Sequence, residues 1–257
     1  MQAQQGFRGV VFDVDGVLVD SPHERAWRDT LHELMDTQWR DIPSSCTYAP
    51  GKFTSRVYQD VVSGKPRLSG ARAALDYFHV PDAGSRATVY AESKQERVLD
   101  LIRAGEFEPF PDALRFVLAL SARGLAIAAA SSSKNAGLML EQITVPPSNR
   151  RLSQVFTADL SGQDFGRGKP APDIFLAACA SLGLAPAECF VVEDAVVGIE
   201  AAKAGGLAAL GIARADDEER LVKAGADLVV TTLDDVDLDR LAERKLVARP
   251  GALQAGR

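Results

Sequence analysis

Two kinds of hydrophobic pattern alternate along the chain. Mainly apolar runs at 10–14, 125–130, 189–193, 207–212 and 227–231 lack the period-two alternation of a half-exposed strand. They read as strands buried on both faces, as in a parallel sheet. The run at 154–157 reads as a further short strand. Between them lie amphipathic stretches of helical period: 22–36 with Trp27, Leu31, Leu34 and Met35, and 112–123 with Leu114, Val117 and Leu118 before the terminator Gly124. Others start near Lys134, after Pro172 (Phe175, Ala178, Cys179, Leu182, stopped by Gly183), at 196–204 and near 236–246. Residues 21–107 carry only helical patterns (22–36, 54–62, 69–78, 86–104), broken by Gly64-Lys65-Pro66 and Pro81-Asp82. An irregular stretch at 41–51 holds the breakers Pro43, Ser44, Ser45, Pro50 and Gly51, and Glu108-Pro109-Phe110-Pro111 ends the region. Residues 248–257 read as a loose tail.

Repeated strand–helix units predict an α/β fold: a Rossmann-like parallel sheet core built from 1–20 and 108–257. A small helical cap domain, 21–107, is inserted after the first strand, at the sheet end where open α/β folds bind ligands. The 257 residues suffice for such a core, and 46% hydrophobic with 25% charged residues is ordinary for a globular chain. A formal charge of −6 argues against nucleic-acid and anionic-membrane partners. No run reaches the roughly 18 apolar residues of a membrane span. The polar residues 1–9 contain no apolar signal core. Cys46, Cys179 and Cys189 are odd in number, widely spaced and free of any Cys-x-x-Cys, which suits reduced thiols. The expectation is a cytoplasmic monomer.

Candidate chemistry gathers where the strands end. The first run leads into Asp13-Val14-Asp15-Gly16, two carboxylates that repel unless a cation or a proton lies between them. Alone, this is equally a solvated strand end with a glycine turn. The second strand ends in Ser131-Ser132-Ser133-Lys134-Asn135, which suits an anion at a helix start and also serves as a plain serine cap. Lys169 lies in a Gly- and Pro-rich loop at 166–173, and the strand at 189–193 ends in Glu193-Asp194. Four carboxylates without a neighbouring histidine favour Mg²⁺, a cation of oxygen ligands and phosphates. His23, His32 and His79 all fall in the helical insertion. Neither a G-x-G-x-x-G after the first strand nor a G-x-x-x-x-G-K-[ST] occurs.

In this order, Asp13-Val14-Asp15-Gly16-Val17, Ser131, Lys169-Pro170-Ala171-Pro172-Asp173 and Glu193-Asp194 resemble the four motifs of the haloacid dehalogenase-like superfamily. The β-phosphoglucomutase group is the nearest likeness, through His23-Glu24-Arg25-Ala26-Trp27, Gly64-Lys65-Pro66-Arg67, Lys94-Gln95, Ala130-Ser131-Ser132-Ser133-Lys134-Asn135 and Gly168-Lys169-Pro170-Ala171-Pro172-Asp173-Ile174-Phe175. Departures are a shorter Asp20–His23 spacing, an unmatched 41–53, Ala195 in place of serine, and the insertion Pro146-Pro147-Ser148-Asn149-Arg150-Arg151.

The resemblance implies an aspartyl-phosphate on Asp13, with Asp15 as general acid and base and Ser131 and Lys169 on the phosphoryl oxygens. It implies Mg²⁺ held by Asp13, Asp15 through its carbonyl, and Asp194, with Glu193 in the inner or outer shell. A small phosphorylated sugar is the implied substrate. His23, Arg67 (with Arg72 one turn away) and Lys94 would meet it from the cap, and Ser132, Lys134 and Asn135 from the core. Mutase and phosphatase share this chemistry up to the phosphoenzyme and differ in the acceptor. A receiver-type phosphoacceptor is the non-enzymatic alternative, and it has no need of a helical insertion.

Overall fold

The structure is a computed structural model that describes residues 6–42, 46–215 and 217–252. The first apolar run forms β1 (Gly9–Phe12), whose four residues are all buried. Each large apolar side chain removed from water there contributes about 1.5–3 kcal/mol. The strand stops short of the expected 10–14. Asp13 N makes one more ladder bond, to Val192 O at 3.0 Å, and Val14 O then accepts from Leu18 N and Val19 N (2.9 and 3.1 Å), closing a loop. A two-residue strand β2 (Val19–Asp20) follows.

The chain divides into two compact units, Ser21–Phe107 and the remainder. In the first, α1 (His23–Asp36), α2 (Ser55–Val57) with a π-helical turn at Tyr58–Val62, α3 (Arg67–Tyr77) and α4 (Ala83–Arg103) follow one another, with no strand among the described residues. Its core contains Trp27, Leu31, Leu75, Phe78 and Tyr90. Tyr90 meets the Trp27 ring edge-on at 4.9 Å and donates its hydroxyl to Trp27 O at 2.7 Å, so the burial of that polar atom is compensated. The expected breakers Pro43, Ser44 and Ser45 lie outside the described residues.

In the second unit, β3 (Glu108–Pro109) pairs antiparallel with β2. Then come α5 (Pro111–Ala122), β4 (Ala126–Ala129), α6 (Ala136–Gln142), a small hairpin β5 (Thr144–Val145) and β6 (Arg150–Arg151), and β7 (Ala158–Asp159). They are followed by α7 (Asp173–Ser181), β8 (Cys189–Glu193), α8 (Val196–Ala204), β9 (Ala208–Ile212), α9 (Glu218–Lys223) and β10 (Leu228–Val230). The sheet order is β10-β9-β8-β1-β4-β7, every pair parallel, with Val11 between Ala128 and Val191. One face packs Val11, Val191 and Ala209 against Phe175, Ile199 and Leu221 of α7, α8 and α9. On the other, Phe12 meets Phe116 of α5 at 6.1 Å. Burial on both faces is why these strands show no alternation, and the α/β reading of the chain is correct.

Three further expected elements differ. The run at 154–157 is the end of a 3-10 turn, Leu152–Val155, and the strand begins later, at Ala158, where Leu160 N reaches Ala129 O at 2.9 Å. The hairpin of the Pro146–Arg151 insertion delays the chain's return to the sheet. The helix expected near 236–246 is reduced to 3-10 turns, Leu233–Asp235 and Arg240–Glu243. Asp237 N instead bonds Val247 O (2.9 Å) and Arg249 N bonds Asp235 O (2.7 Å). The same bonds tie down the start of the expected tail, and residues 253–257 lie outside the described residues. Cys179 and Cys189 are buried free thiols and Cys46 a half-buried one. Among the described residues no helix is long and apolar enough to cross a membrane.

Candidate active site

The carboxyl ends of β1, β4 and β8 lie side by side in the sheet, so the residues that follow them share one edge. Asp13 leaves β1 and is 7% exposed. Asp15 sits in the loop closed on Val14 O, bridged to Val19 and held further by Gly16 N on Val19 O at 2.9 Å. Both aspartates therefore lie beyond the strand proper, and the loop, rather than strand alternation, orients Asp15. Gly16 has φ +80°, and a Cβ there would stand 1.9 Å from Asp194 Oδ2. Only glycine meets both conditions.

Glu193 ends β8 and is 1% exposed. Its Oε2 accepts from Asp194 N and Ala195 N, both at 2.9 Å, the backbone donors that precede α8. Its Oε1 accepts from Lys169 Nζ at 2.5 Å, and the same ammonium donates to Asp13 Oδ1 at 2.6 Å. Lys169 also lies 4.8 Å above the Phe175 ring. One buried cation thus bridges two carboxylates from different strands. At the end of β4, Ser131 is buried and donates Oγ to Asp15 Oδ2 at 3.2 Å while accepting from Ser133 N at 3.1 Å.

The electrostatics follow from four carboxylates around one ammonium. Burial, opposed by Lys169 and reinforced by Glu193 and Asp15, pushes the Asp13 carboxyl up to about 7. Burial and the neighbouring Glu193 and Asp13 raise Asp194 well above the carboxylate range. Burial works against the Lys169 charge, but Asp13 and Glu193 outweigh it and hold the ammonium well above its ordinary pKa.

This excess of negative charge fits a divalent cation. Every nearby donor is oxygen, which suits Mg²⁺. Among the described residues no three His, Cys, Asp or Glu side chains form a cage by themselves. An ion here would complete its shell with backbone, water or phosphate oxygens, the usual habit of Mg²⁺ beside a phosphate.

The other expected residues fall as follows. Asn135 is buried and its N bonds Ser133 Oγ at 3.2 Å, while Ser132 and Lys134 are exposed on the same loop. Within the helical unit, Lys94 is 4% exposed, bonds His23 Nδ1 at 2.8 Å and lies 4.8 Å over the Trp27 ring. Arg67 is exposed at the start of α3, with no ion pair among the described residues, and Arg72 faces Asp76 at 3.6 Å. Ser161 escapes sequence reading. Its Oγ accepts from Ser131 N at 3.4 Å, a contact that depends on where β7 ends.

The family model of haloacid dehalogenase-like hydrolases matches residues 7–206. The chain is 33% identical over 242 residues to a β-phosphoglucomutase of Mycobacterium tuberculosis, covering 88% of this chain and 90% of that one. The solved β-phosphoglucomutase of a hyperthermophilic Pyrococcus superposes with a TM-score of 0.69 at 30% identity, over 91% of this chain and 96% of that one. A bifunctional riboflavin kinase/FMN phosphatase of Arabidopsis thaliana is 30% identical over 231 residues, 90% of this chain and 55% of that one.

Proposed function

This chain belongs to the haloacid dehalogenase-like hydrolase family, in its β-phosphoglucomutase group, and from that we propose that it transfers a phosphoryl group through an aspartyl-phosphate on Asp13, isomerising β-glucose 1-phosphate and glucose 6-phosphate. The observation that carries the reading is Lys169 bridging Asp13 and Glu193 at 2.6 and 2.5 Å. The bridge fixes one oxygen of Asp13 and leaves the other for attack on phosphorus. Lys169 and Ser131 then hold phosphoryl oxygens, where charge spreads in the transition state. Asp15, oriented by Ser131, gives a proton to the departing oxygen and takes one from the incoming oxygen. Asp13, Asp194 and the carbonyl of Asp15 would hold Mg²⁺, which would screen the attacking carboxylate from the phosphate. Glu193, whose oxygens are taken by Lys169 and two amides, acts from the outer shell by positioning Lys169 and Asp194.

In this reading residues 21–107 are the cap. His23, Lys94 and Arg67 meet the sugar phosphate from it, and Ser132, Lys134 and Asn135 from the core. The buried Lys94 ammonium is oriented by His23 and Trp27, which suits recognition of a distal phosphate. Arg67, which has no ion pair among the described residues, is better suited than Arg72, which faces Asp76. The free thiols of Cys179 and Cys189 suit a reducing cytoplasm, and we expect a monomer.

Water as acceptor gives a second reading, a sugar-phosphate phosphatase. It draws on the hydrolase description of the family and on the relative whose name includes an FMN phosphatase. One incubation separates the two: protein, Mg²⁺, β-glucose 1-phosphate and a trace of the 1,6-bisphosphate, with glucose 6-phosphate and free phosphate followed together. Glucose 6-phosphate outrunning phosphate by orders of magnitude is the expected result. Phosphate alone would replace the mutase with the phosphatase, and neither product would remove the glucose phosphates from consideration.

A further inference from the structure

Two charged residues of the α/β unit take no part in the chemistry above, yet they are tied to the loop that carries it. Asp112, in the first turn of α5 and 6% exposed, collects four donors. Arg214 Nη1 and Nη2 reach it at 3.0 and 3.1 Å, Thr232 Oγ1 at 3.2 Å and Leu233 N at 2.8 Å. Arg214, just past β9, also stacks its guanidinium 4.0 Å over the Phe110 ring and donates Nη2 to Val17 O at 3.3 Å. Val17 belongs to the loop that holds Asp15, and Leu18 O of the same loop accepts from Phe110 N at 2.9 Å. The loop is therefore gripped on two sides. Gly16 lies against the Asp194 carboxylate, and the carbonyl of Val17 is held by Arg214, whose fork is itself locked by Asp112.

A buried bidentate pair adds little net stability over apolar side chains of the same volume, but its planar fork specifies position. We propose that Arg214, locked by Asp112, is a positioning residue that fixes the 14–20 loop through the Val17 carbonyl and so sets the placement of Asp15. The kinetic consequence rests on the assignment of Asp15 as acid and base. The hold on the loop does not.

The experiment uses full-length Arg214→Ala and Arg214→Lys with Asp15→Asn alongside. Amide exchange is read by mass spectrometry over 14–20 and, as reference, over α8. In Arg214→Ala, protection over 14–20 should fall at least about tenfold while α8 keeps its own. At saturating Mg²⁺, so that the Asp15 carbonyl as a proposed metal ligand limits neither ester, the kcat on an alkyl phosphate, whose leaving group needs a proton, should fall at least about tenfold, with KM and the kcat on an aryl phosphate within about twofold. Millimolar guanidinium should restore part of the lost kcat. Arg214→Lys retains a charge for Asp112 but cannot span both partners, so it should show the same split in smaller degree, and it serves if the alanine variant does not fold. Unchanged exchange over 14–20, or equal losses on both esters, would overturn the proposal. If Asp15→Asn also treats the two esters alike, the acid–base assignment falls, and the exchange result alone decides whether Arg214 holds the loop.

Discussion

Replacing Gly198 by alanine reverses the usual sign of a helix substitution. Gly198 is the third residue of α8, where alanine ordinarily gains about 0.5–1 kcal/mol by reducing the freedom of the unfolded chain. Here the added Cβ would stand 1.8 Å from Glu193 Oε1 and 2.0 Å from its Cδ, against the 3.4 Å at which ordinary contact begins. The carboxylate cannot swing aside freely, because Lys169 and the amides of Asp194 and Ala195 hold both its oxygens. Displacing it strains the packing by about 1–3 kcal/mol. Each lost charge-assisted bond costs up to about 1.5–3 kcal/mol, partly recovered by relaxation. The net expectation is a destabilisation of about 2–4 kcal/mol, with the propensity gain already subtracted. The kcat should fall at least tenfold, because Lys169 loses one of its two anchors (about 1.4 kcal/mol per factor of ten). Gly137→Ala in α6 is the control, since its Cβ would meet only Asp159 Oδ2, at an ordinary 3.5 Å. Urea unfolding followed by far-UV circular dichroism suits this unit, because Trp27 and Trp39, the chain's two tryptophans, lie in the helical unit. A Gly198→Ala protein as stable and as active as its Gly137→Ala counterpart would refute the claim that Glu193 occupies the space glycine leaves.

Asp13→Asn should abolish a phosphoenzyme trapped by rapid acid quench while leaving the circular dichroism unchanged; turnover above a few per cent would remove Asp13 as nucleophile. Chelation of divalent metal should stop turnover, and added Mg²⁺ should restore it; full activity in excess chelator would reject the cation. Lys94→Ala should raise KM for a sugar phosphate by roughly tenfold or more and leave hydrolysis of a small aryl phosphate nearly unchanged, a split that a folding defect would not give. Asp112 has its carboxyl held below the ordinary 3.8, against the cost of burial, by Arg214, Leu233 and Thr232. Its contribution is therefore present above the unfolded value and is lost as pH falls through the lowered one. The stability gap between the native chain and Asp112→Asn should be full at pH 7 and close below about pH 4; a gap independent of pH would mean the carboxylate charge is not what stabilises.

Periodicity was enough for the long elements. A strand buried on both faces has no alternation, and a helix packed on it has a 3.6-residue stripe, so 189–193 and 196–204 are read from residue types to the very residues of β8 and α8. The same rule fails at β7. A two-residue strand carries no pattern, and its position is set by bonds to β4 and by the hairpin before it. It fails again at 236–246, where pairing of Val236 with Ala248 overrides helical propensity.

Along the candidate site, residue types at strand ends mark Asp13, Asp15, Ser131, Glu193 and Asp194 as neighbours, because parallel strands align their carboxyl ends. What each of them holds is decided only in three dimensions. Lys169 is 156 residues from Asp13 and 24 from Glu193, and one side chain bridging both follows from where its loop crosses the sheet edge. The contact of Gly198 with Glu193 and the grip of Arg214 on Val17 are equally beyond local pattern. Local chemistry determined the long strands and helices of the sheet and which residues stand at their ends. Tertiary packing alone decided which charges meet, because a salt bridge between distant residues leaves no period in the chain.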